Sequence, residues 1–269
     1  QYADAIADLR LALRKDEGNA RALLLLAQSY LQTGDTVLAK DAYRRLLGVE
    51  PDNADGLQQL AAVLATEKDF AGAEELLRKR IARQPDDVLA SGRLVEVLLA
   101  QKKVAEAEAE ARRMASLSNE QGVGDFQLAR VLAQKKDFAG AAEAFRKSVG
   151  SRADDPLPLQ GLVQSLVAQG KTGEALSVLN TRVAEKQDDL FAKFLLAGVY
   201  GRAGDVKNAE RYLEEVIKAR PDAVVAYVSL AGLYPKDRDA RIKVFQRGLV
   251  AIPGSPELSM LLGTEFAQA

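Results

Sequence analysis

Apolar residues recur at three- and four-residue spacing along nearly the whole chain, and no stretch alternates apolar with polar at period two. Spacing of that kind lines one face of an α-helix, so the chain predicts helices and no strands. Leu190 to Ala223 shows the pattern most clearly. Leu196, Val199 and Tyr200 form the stripe of a first helix, and the small Ala197 beside them lets a second helix approach closely. Gly204 predicts the end of that helix, because it takes the left-handed conformation that other residues resist. Asp205 is placed to cap a second helix whose inner face carries Ala209, Leu213, Val216 and Ile217. Pro221 then ends the pair, and Asp222 offers a cap to the helix that follows.

The same unit returns along the chain. Leu26, Leu60, Leu94, Leu128, Leu162, Leu196 and Leu230 follow one another at a spacing of 34. Ala5, Ala39, Ala73, Ala107, Ala141, Ala175 and Ala209 do the same. Pro51, Pro85 and Pro221 share one phase, as do Gly34, Gly170 and Gly204. Independent ladders with one period identify a repeat architecture.

Within the unit, Leu196, Ala197, Tyr200, Gly204, Ala209, Leu213 and Pro221 together resemble the tetratricopeptide repeat, and the resemblance covers the whole chain. It implies an all-α fold: a right-handed α-solenoid of helix-turn-helix repeats, a superhelix of about one turn. The expected organisation is a single array. Residues 1–19 hold the second helix of a truncated repeat, with Ala5, Leu9 and Ala12 inward. Full repeats occupy 20–53, 54–87, 88–121, 122–155, 156–189, 190–223 and 224–255, and 256–269 is a further first helix with Leu262, Gly263 and Phe266 in phase. One departure is the bulky slot where the family carries Trp. It holds Leu23, Leu57, Ser91, Asp125, Leu159, Lys193 and Tyr227, which predicts weaker packing in the fourth, fifth and seventh units. The fourth unit is the leanest, with Ala111 at an otherwise large position. It lacks a closing proline, and Gly122 and Gly124 follow, so Ser118 to Gly124 reads as the softest joint. The chain starts and stops inside a repeat, as a piece of a longer array would, so a leader or anchor would lie outside it.

Composition narrows the function. The 269 residues are 48% apolar and 28% charged with a net charge of −1, which gives no global field for nucleic acid or an anionic membrane. With no Cys and no His, disulfides, thiol and imidazole catalysis and nearly all zinc sites are excluded, and no cofactor is expected. The compartment stays open, since such a chain suits bacterial cytoplasm, periplasm or envelope alike. The longest nearly apolar run, Ala223 to Tyr234, is too short to span a bilayer. Acid–base pairs four apart, Glu74–Arg78, Glu75–Lys79, Glu108–Arg112, Glu143–Lys147 and Glu214–Lys218, read as a solvated outer face.

Two stretches invite a chemical reading. Gly170-Lys171-Thr172 looks like the end of a phosphate loop, but Ser165 stands where the loop needs Gly, and the same slot elsewhere holds an ordinary turn. The pairs Asp86-Asp87, Asp154-Asp155 and Asp188-Asp189 sit where helices begin and read as caps. Without His no serine triad forms, so an enzyme is not expected.

The resemblance also implies a binding surface, since first helices line the concave face in this family. The matching slots hold Leu24, Gln28 and Leu31, then Leu89, Glu96 and Leu99, then Val123, Phe126 and Arg130. Later repeats add Leu157, Gln160, Gln164 and Val167, then Phe191, Phe194, Gly198 and Gly201, then Val225, Val228 and Gly232. The slots are mostly uncharged and lack the basic residues and Asn with which some members clamp a C-terminal carboxylate. Phe191 and Val225 can instead tuck under the preceding turn, and Phe194 can help pack its helix pair. A contiguous apolar strip of this size points to a partner.

The expected function is therefore a non-catalytic scaffold that holds an extended or helical peptide segment of a protein partner in an apolar groove. The bacterial style of the repeats is similar to the large tetratricopeptide lipoproteins of exopolysaccharide and exosortase (PEP-CTERM) systems. Two other readings stay open. One is a structural array that self-associates end to end through exposed terminal helices. The other is a regulatory domain of a larger enzyme or of an envelope secretion protein.

Overall fold

The computed structural model describes residues 2–117, 121–152 and 154–267. Among the described residues there are sixteen helices and no strand. The chain divides into two compact units, residues 1–152 and 153–269. Unit 1 contains α1 (Tyr2–Lys15), α2 (Ala20–Gln32), α3 (Thr36–Val49), α4 (Ala54–Thr66), α5 (Phe70–Arg83), α6 (Val88–Ala100), α7 (Val104–Ala115), α8 (Gln121–Gln134) and α9 (Phe138–Ser151). Unit 2 contains α10 (Pro156–Ala168), α11 (Thr172–Glu185), α12 (Leu190–Arg202), α13 (Val206–Ala219), α14 (Val224–Gly232), α15 (Arg238–Ala251) and α16 (Pro256–Ala267).

Within each unit every helix packs on the next, and α6 also touches α8, α10 touches α12 and α14 touches α16. Each repeat thus meets its neighbours in sequence, the stacking of an α-solenoid. The two ladders are its core. Leu26, Leu60, Leu94, Leu162, Leu196 and Leu230 are buried, and Leu128 is half-buried. The alanines from Ala39 to Ala209 are all buried, and their small size sets the close helix spacing.

One turn is built six times. The N–H groups of Asp35, Asp69, Lys103, Asp137, Lys171 and Asp205 each donate to the carbonyl five residues back, at 2.8 to 3.0 Å. This is the Schellman closure, and it needs a left-handed residue just before. Gly34, Gly170 and Gly204 supply it with φ of 81°, 75° and 80°. Lys68, Lys102 and Lys136 take the same conformation at 66°, 62° and 64°, so glycine is preferred there but not required.

The aspartates behave as caps. Asp87, Asp155 and Asp189 accept from the backbone N–H of Ala90, Leu157 and Ala192, each at 2.9 Å. Asp222 departs from expectation. It pairs with Arg220 at 2.9 Å, and α14 starts on Ala223 without a side-chain cap. In α1 the inward residue is Leu13, while Ala12 is exposed, because the buried stripe runs through Ile6, Leu9 and Leu13.

The joint expected to be soft has a different character where it can be seen. Ser118, Asn119 and Glu120 lie outside the described residues. Gly122 and Gly124, however, are buried inside α8. A Cβ at Gly124 would lie 2.4 Å from the backbone of Met114 and Ala115, so the glycine is what lets α8 reach α7. The Gly122 carbonyl accepts from the buried Ser148 hydroxyl at 2.7 Å.

Ser91 and Lys193, polar substitutes at the bulky slot, are also partnered. Arg113 donates to the Ser91 hydroxyl at 2.6 Å and to the Pro85 carbonyl at 2.6 Å. Lys193 pairs with Glu215 at 2.7 Å, and Tyr227 is buried with its hydroxyl donating to the Pro221 carbonyl at 3.2 Å.

The acid–base pairs are not simply a solvated face. Glu74 accepts from Arg78 at 3.0 Å on its own helix, but also from Gln101 and Lys103 of the next repeat, both at 2.7 Å. Glu108 accepts from Lys135 of the next repeat at 2.6 Å, and Glu214 pairs with Arg247 at 2.8 Å. These carboxylates stitch one repeat to another: Glu74 and Glu108 reach the end of the next first helix, and Glu214 reaches the next second helix. The Lys103 ammonium and its neighbours hold the Glu74 carboxyl down to about 2 against the opposing effect of burial.

The short α14 leaves an irregular turn that Arg241 closes. Its Nη1 donates to the carbonyls of Tyr234 and Pro235, each at 2.9 Å. Its Nε and Nη2 bind Glu265 of α16 in a bidentate pair, each bond 2.7 Å.

Candidate partner-binding site

The candidate residues divide between the two units. Leu24, Gln28, Leu31, Leu89, Glu96, Phe126 and Arg130 belong to unit 1; Gln160, Gln164, Phe191, Phe194, Gly198, Val225 and Val228 belong to unit 2.

In unit 1 the candidates are not equally available. Leu24 and Leu31 are half-buried and pack against the core, as do Leu99 and Val123. Gln28 is exposed, and Leu89 is 55% exposed. Phe126 is half-buried in a cluster: its ring meets Phe145 edge-on at 5.9 Å, and the guanidinium groups of Arg130 and Arg152 stand 5.8 and 5.7 Å from its centroid. Arg130 is engaged within the protein. Its Nη1 donates to Glu96 at 3.0 Å and to Gln127 at 2.9 Å.

In unit 2 several candidates converge. A cavity of about 490 Å³ opens between α12 and α14 and reaches down to Leu213 of α13. Phe194, Ala197, Gly198 and Gly201 line one side; Ser229, Gly232, Leu233 and Pro235 line the other. A Cβ at Gly198 or Gly232 would touch nothing within 4 Å, so these glycines face open space. Gly201 is tighter, its Cβ position lying 3.1 Å from Leu233. Arg202 and Val206 complete the lining and were not among the candidate residues. Phe191, Gln160 and Val228 are half-buried, Gln164 is exposed, and Val225 is 57% exposed. None of these five lines the cavity.

Sequence reasoning also passed over Arg93. It lies on α6 between Gly92 and Leu94, outside the slots that the family resemblance selects, yet it lines two cavities in unit 1. The available signal was a lone charge in the run Val88 to Val95. Gly170-Lys171-Thr172 forms the α10–α11 turn, with Lys171 at the cap position of α11. No group of three or more acidic residues among the described residues is arranged to hold a metal ion, and no described helix is long and apolar enough to cross a membrane.

Comparisons with known proteins agree with this architecture. Family models described as tetratricopeptide repeat match residues 1–64, 64–119 and 161–224. No curated protein matches the chain. Among solved structures, PilF of Pseudomonas aeruginosa is 23% identical, with a TM-score of 0.57 over 82% of this chain and 99% of that one. PilW, described as a type IV pilus biogenesis factor, is 16% identical, with a TM-score of 0.59 over 80% and 97%. Yeast Tom70 is 15% identical, with a TM-score of 0.66 over 99% of this chain and 59% of its own. At such identities the likeness is one of fold. Repeats of this kind are in general protein-interaction scaffolds and typically non-catalytic. With the 34-residue ladders, the six Schellman turns and the stacked helix pairs all in one chain, the protein belongs to the tetratricopeptide repeat family.

Proposed function

We propose that unit 2 binds an extended apolar segment of a protein partner, seated in the cavity between α12 and α14. The supporting observation is the conjunction of Phe194 with Gly198 and Gly232, whose missing side chains leave room for a backbone beside an aromatic wall. Phe191 and the exposed Val225 extend the apolar surface beyond the cavity. The lining is mostly apolar, so shape and apolar area carry the affinity.

The test uses peptides selected from a random displayed library against the full chain. Selected sequences should be apolar, and Phe194→Ala should weaken their binding by about 2 kcal/mol. Raising ionic strength from about 0.1 M to 1 M, which shortens screening from about 10 Å to 3 Å, should change affinity little. Selection of acidic or basic peptides that bind Phe194→Ala unchanged would refute the reading.

A further inference from the structure

Unit 1 carries a cleft away from the first-helix slots that hold the candidate residues. A cavity of about 470 Å³ is lined by α1 and α3, the second helices of successive repeats, with Leu26 and Tyr30 of α2 beneath them. Arg10, Leu13 and Arg14 form the α1 wall; Leu38, Ala42 and Arg45 form the α3 wall. Along each wall the residues are three, four or one apart, the pattern of a helix face, so the cleft is a trough that follows the helix axes. Leu13, Leu26 and Ala42 are buried and give it an apolar base.

Three guanidinium groups meet this trough without a carboxylate partner among the described residues. Arg78 and Arg112, at repeat spacing from Arg10, bind Glu74 and Glu108 four residues before them, at 3.0 and 2.7 Å. Ile6 stands in that place before Arg10, and Arg10 instead donates its Nε to the Tyr30 hydroxyl at 2.7 Å. Tyr30 is 6% exposed, and with its oxygen accepting from Arg10 its own O–H is left to donate. Arg14 and Arg45 are exposed and make no ion pair among the described residues. Glu17 and Asp41 also line the trough, so three positive groups face two negative ones.

We propose that this trough takes an amphipathic helix of a protein partner, with a leucine-sized side chain on the apolar base and a carboxylate one turn to either side paired with Arg14 and Arg45. A helix presents its side chains at the same three- and four-residue spacing as the two walls, which an extended strand does not. Glu17 and Asp41 disfavour a phosphate or a densely acidic segment, because like charges brought together are repelled. The partner helix therefore carries isolated acids. This second-helix site is separate from the unit 2 cavity, and an acidic peptide whose binding depends on Arg14 and Arg45 reports on this trough alone.

The probe is a set of alanine-rich peptides of about 17 residues, long enough to be helical in water, with both ends blocked. Each has a central Leu with Glu, Gln or Lys one turn to either side. Fluorescence polarisation with the full chain should show the Glu peptide bound roughly fivefold more tightly than the Gln peptide, as two exposed ion pairs imply, and the Lys peptide bound most weakly. That preference should shrink as salt is raised, unlike binding in the unit 2 cavity. Arg14→Glu combined with Arg45→Glu should reverse the order in favour of the Lys peptide, a gain that mere damage to the fold would not produce. Gly198→Leu should leave the order intact. The proposal is overturned if no peptide binds, if the three bind equally, or if the double variant keeps the original order. It is also overturned if the chain self-associates and the double variant disperses it, since the occupant is then a second copy.

Discussion

At the scale of single residues, the repeated turn is an internal control. Six residues share one backbone conformation, three as glycine and three as lysine. Nothing lies within 4 Å of a Cβ built at Gly170 or Gly204, so only backbone strain opposes a side chain there. Gly204→Ala should therefore cost about 1 kcal/mol, and Lys136→Gly should gain somewhat less, since glycine also enlarges the unfolded ensemble. Thermal unfolding of both variants checks the pair of signs. Gly124→Ala should cost more, about 2 kcal/mol or above, because its Cβ meets the α7 backbone at 2.4 Å rather than open space. The sequence made Gly204 legible and Gly124 misleading for one physical reason. A glycine signals either a special φ or a close approach, and only the neighbouring helix distinguishes them.

At the scale of elements, charge links helices of successive repeats. Glu74 has its carboxyl held near 2, below its unfolded value. A lowered folded value gives stability that is present above the unfolded pKa and lost as pH falls through the folded one. Glu74→Gln should thus lower the melting temperature at pH 7, with the difference shrinking as pH falls from about 4.5 toward 2. Asp125 has the opposite sign. Burial pushes its carboxyl up, only partly offset by Lys147. The charged form is disfavoured in the fold, so Asp125→Asn should stabilise at pH 7, with the gain vanishing below about pH 4. Melting curves over that range test both. Helix existence and pairing were readable from period and ladder, because burial enforces them. The stitches between repeats were not, since an acid and a base four apart look alike whether or not a third group arrives from the next repeat.

At the scale of the whole molecule, the chain is two stacked-repeat units, and stability in such arrays is carried by nearest neighbours. Gly124→Ala should therefore speed amide hydrogen exchange in α7 and α8 while leaving α12 and α13 unchanged. Because Gly170-Lys171-Thr172 serves as a turn, ATP with Mg²⁺ should not raise the melting temperature. A saturable rise removed by Lys171→Ala would contradict that assignment. The family and the helical architecture were legible from end to end. Of the expected groove residues, Phe194 and Gly198 line one cavity of unit 2, while the ring of Phe126 meets Phe145, Arg130 and Arg152.

The central claim is that the space over Gly198 and Gly232 belongs to a partner. Filling it tests the claim most directly, because a Cβ at either position meets nothing within 4 Å. Gly198→Leu should keep or slightly raise the melting temperature, as helix propensity favours any residue over glycine by up to about 1 kcal/mol. The dissociation constant of a selected apolar peptide, measured by fluorescence polarisation, should rise at least tenfold in the same variant. An unchanged dissociation constant in a normally folded Gly198→Leu protein would contradict the account.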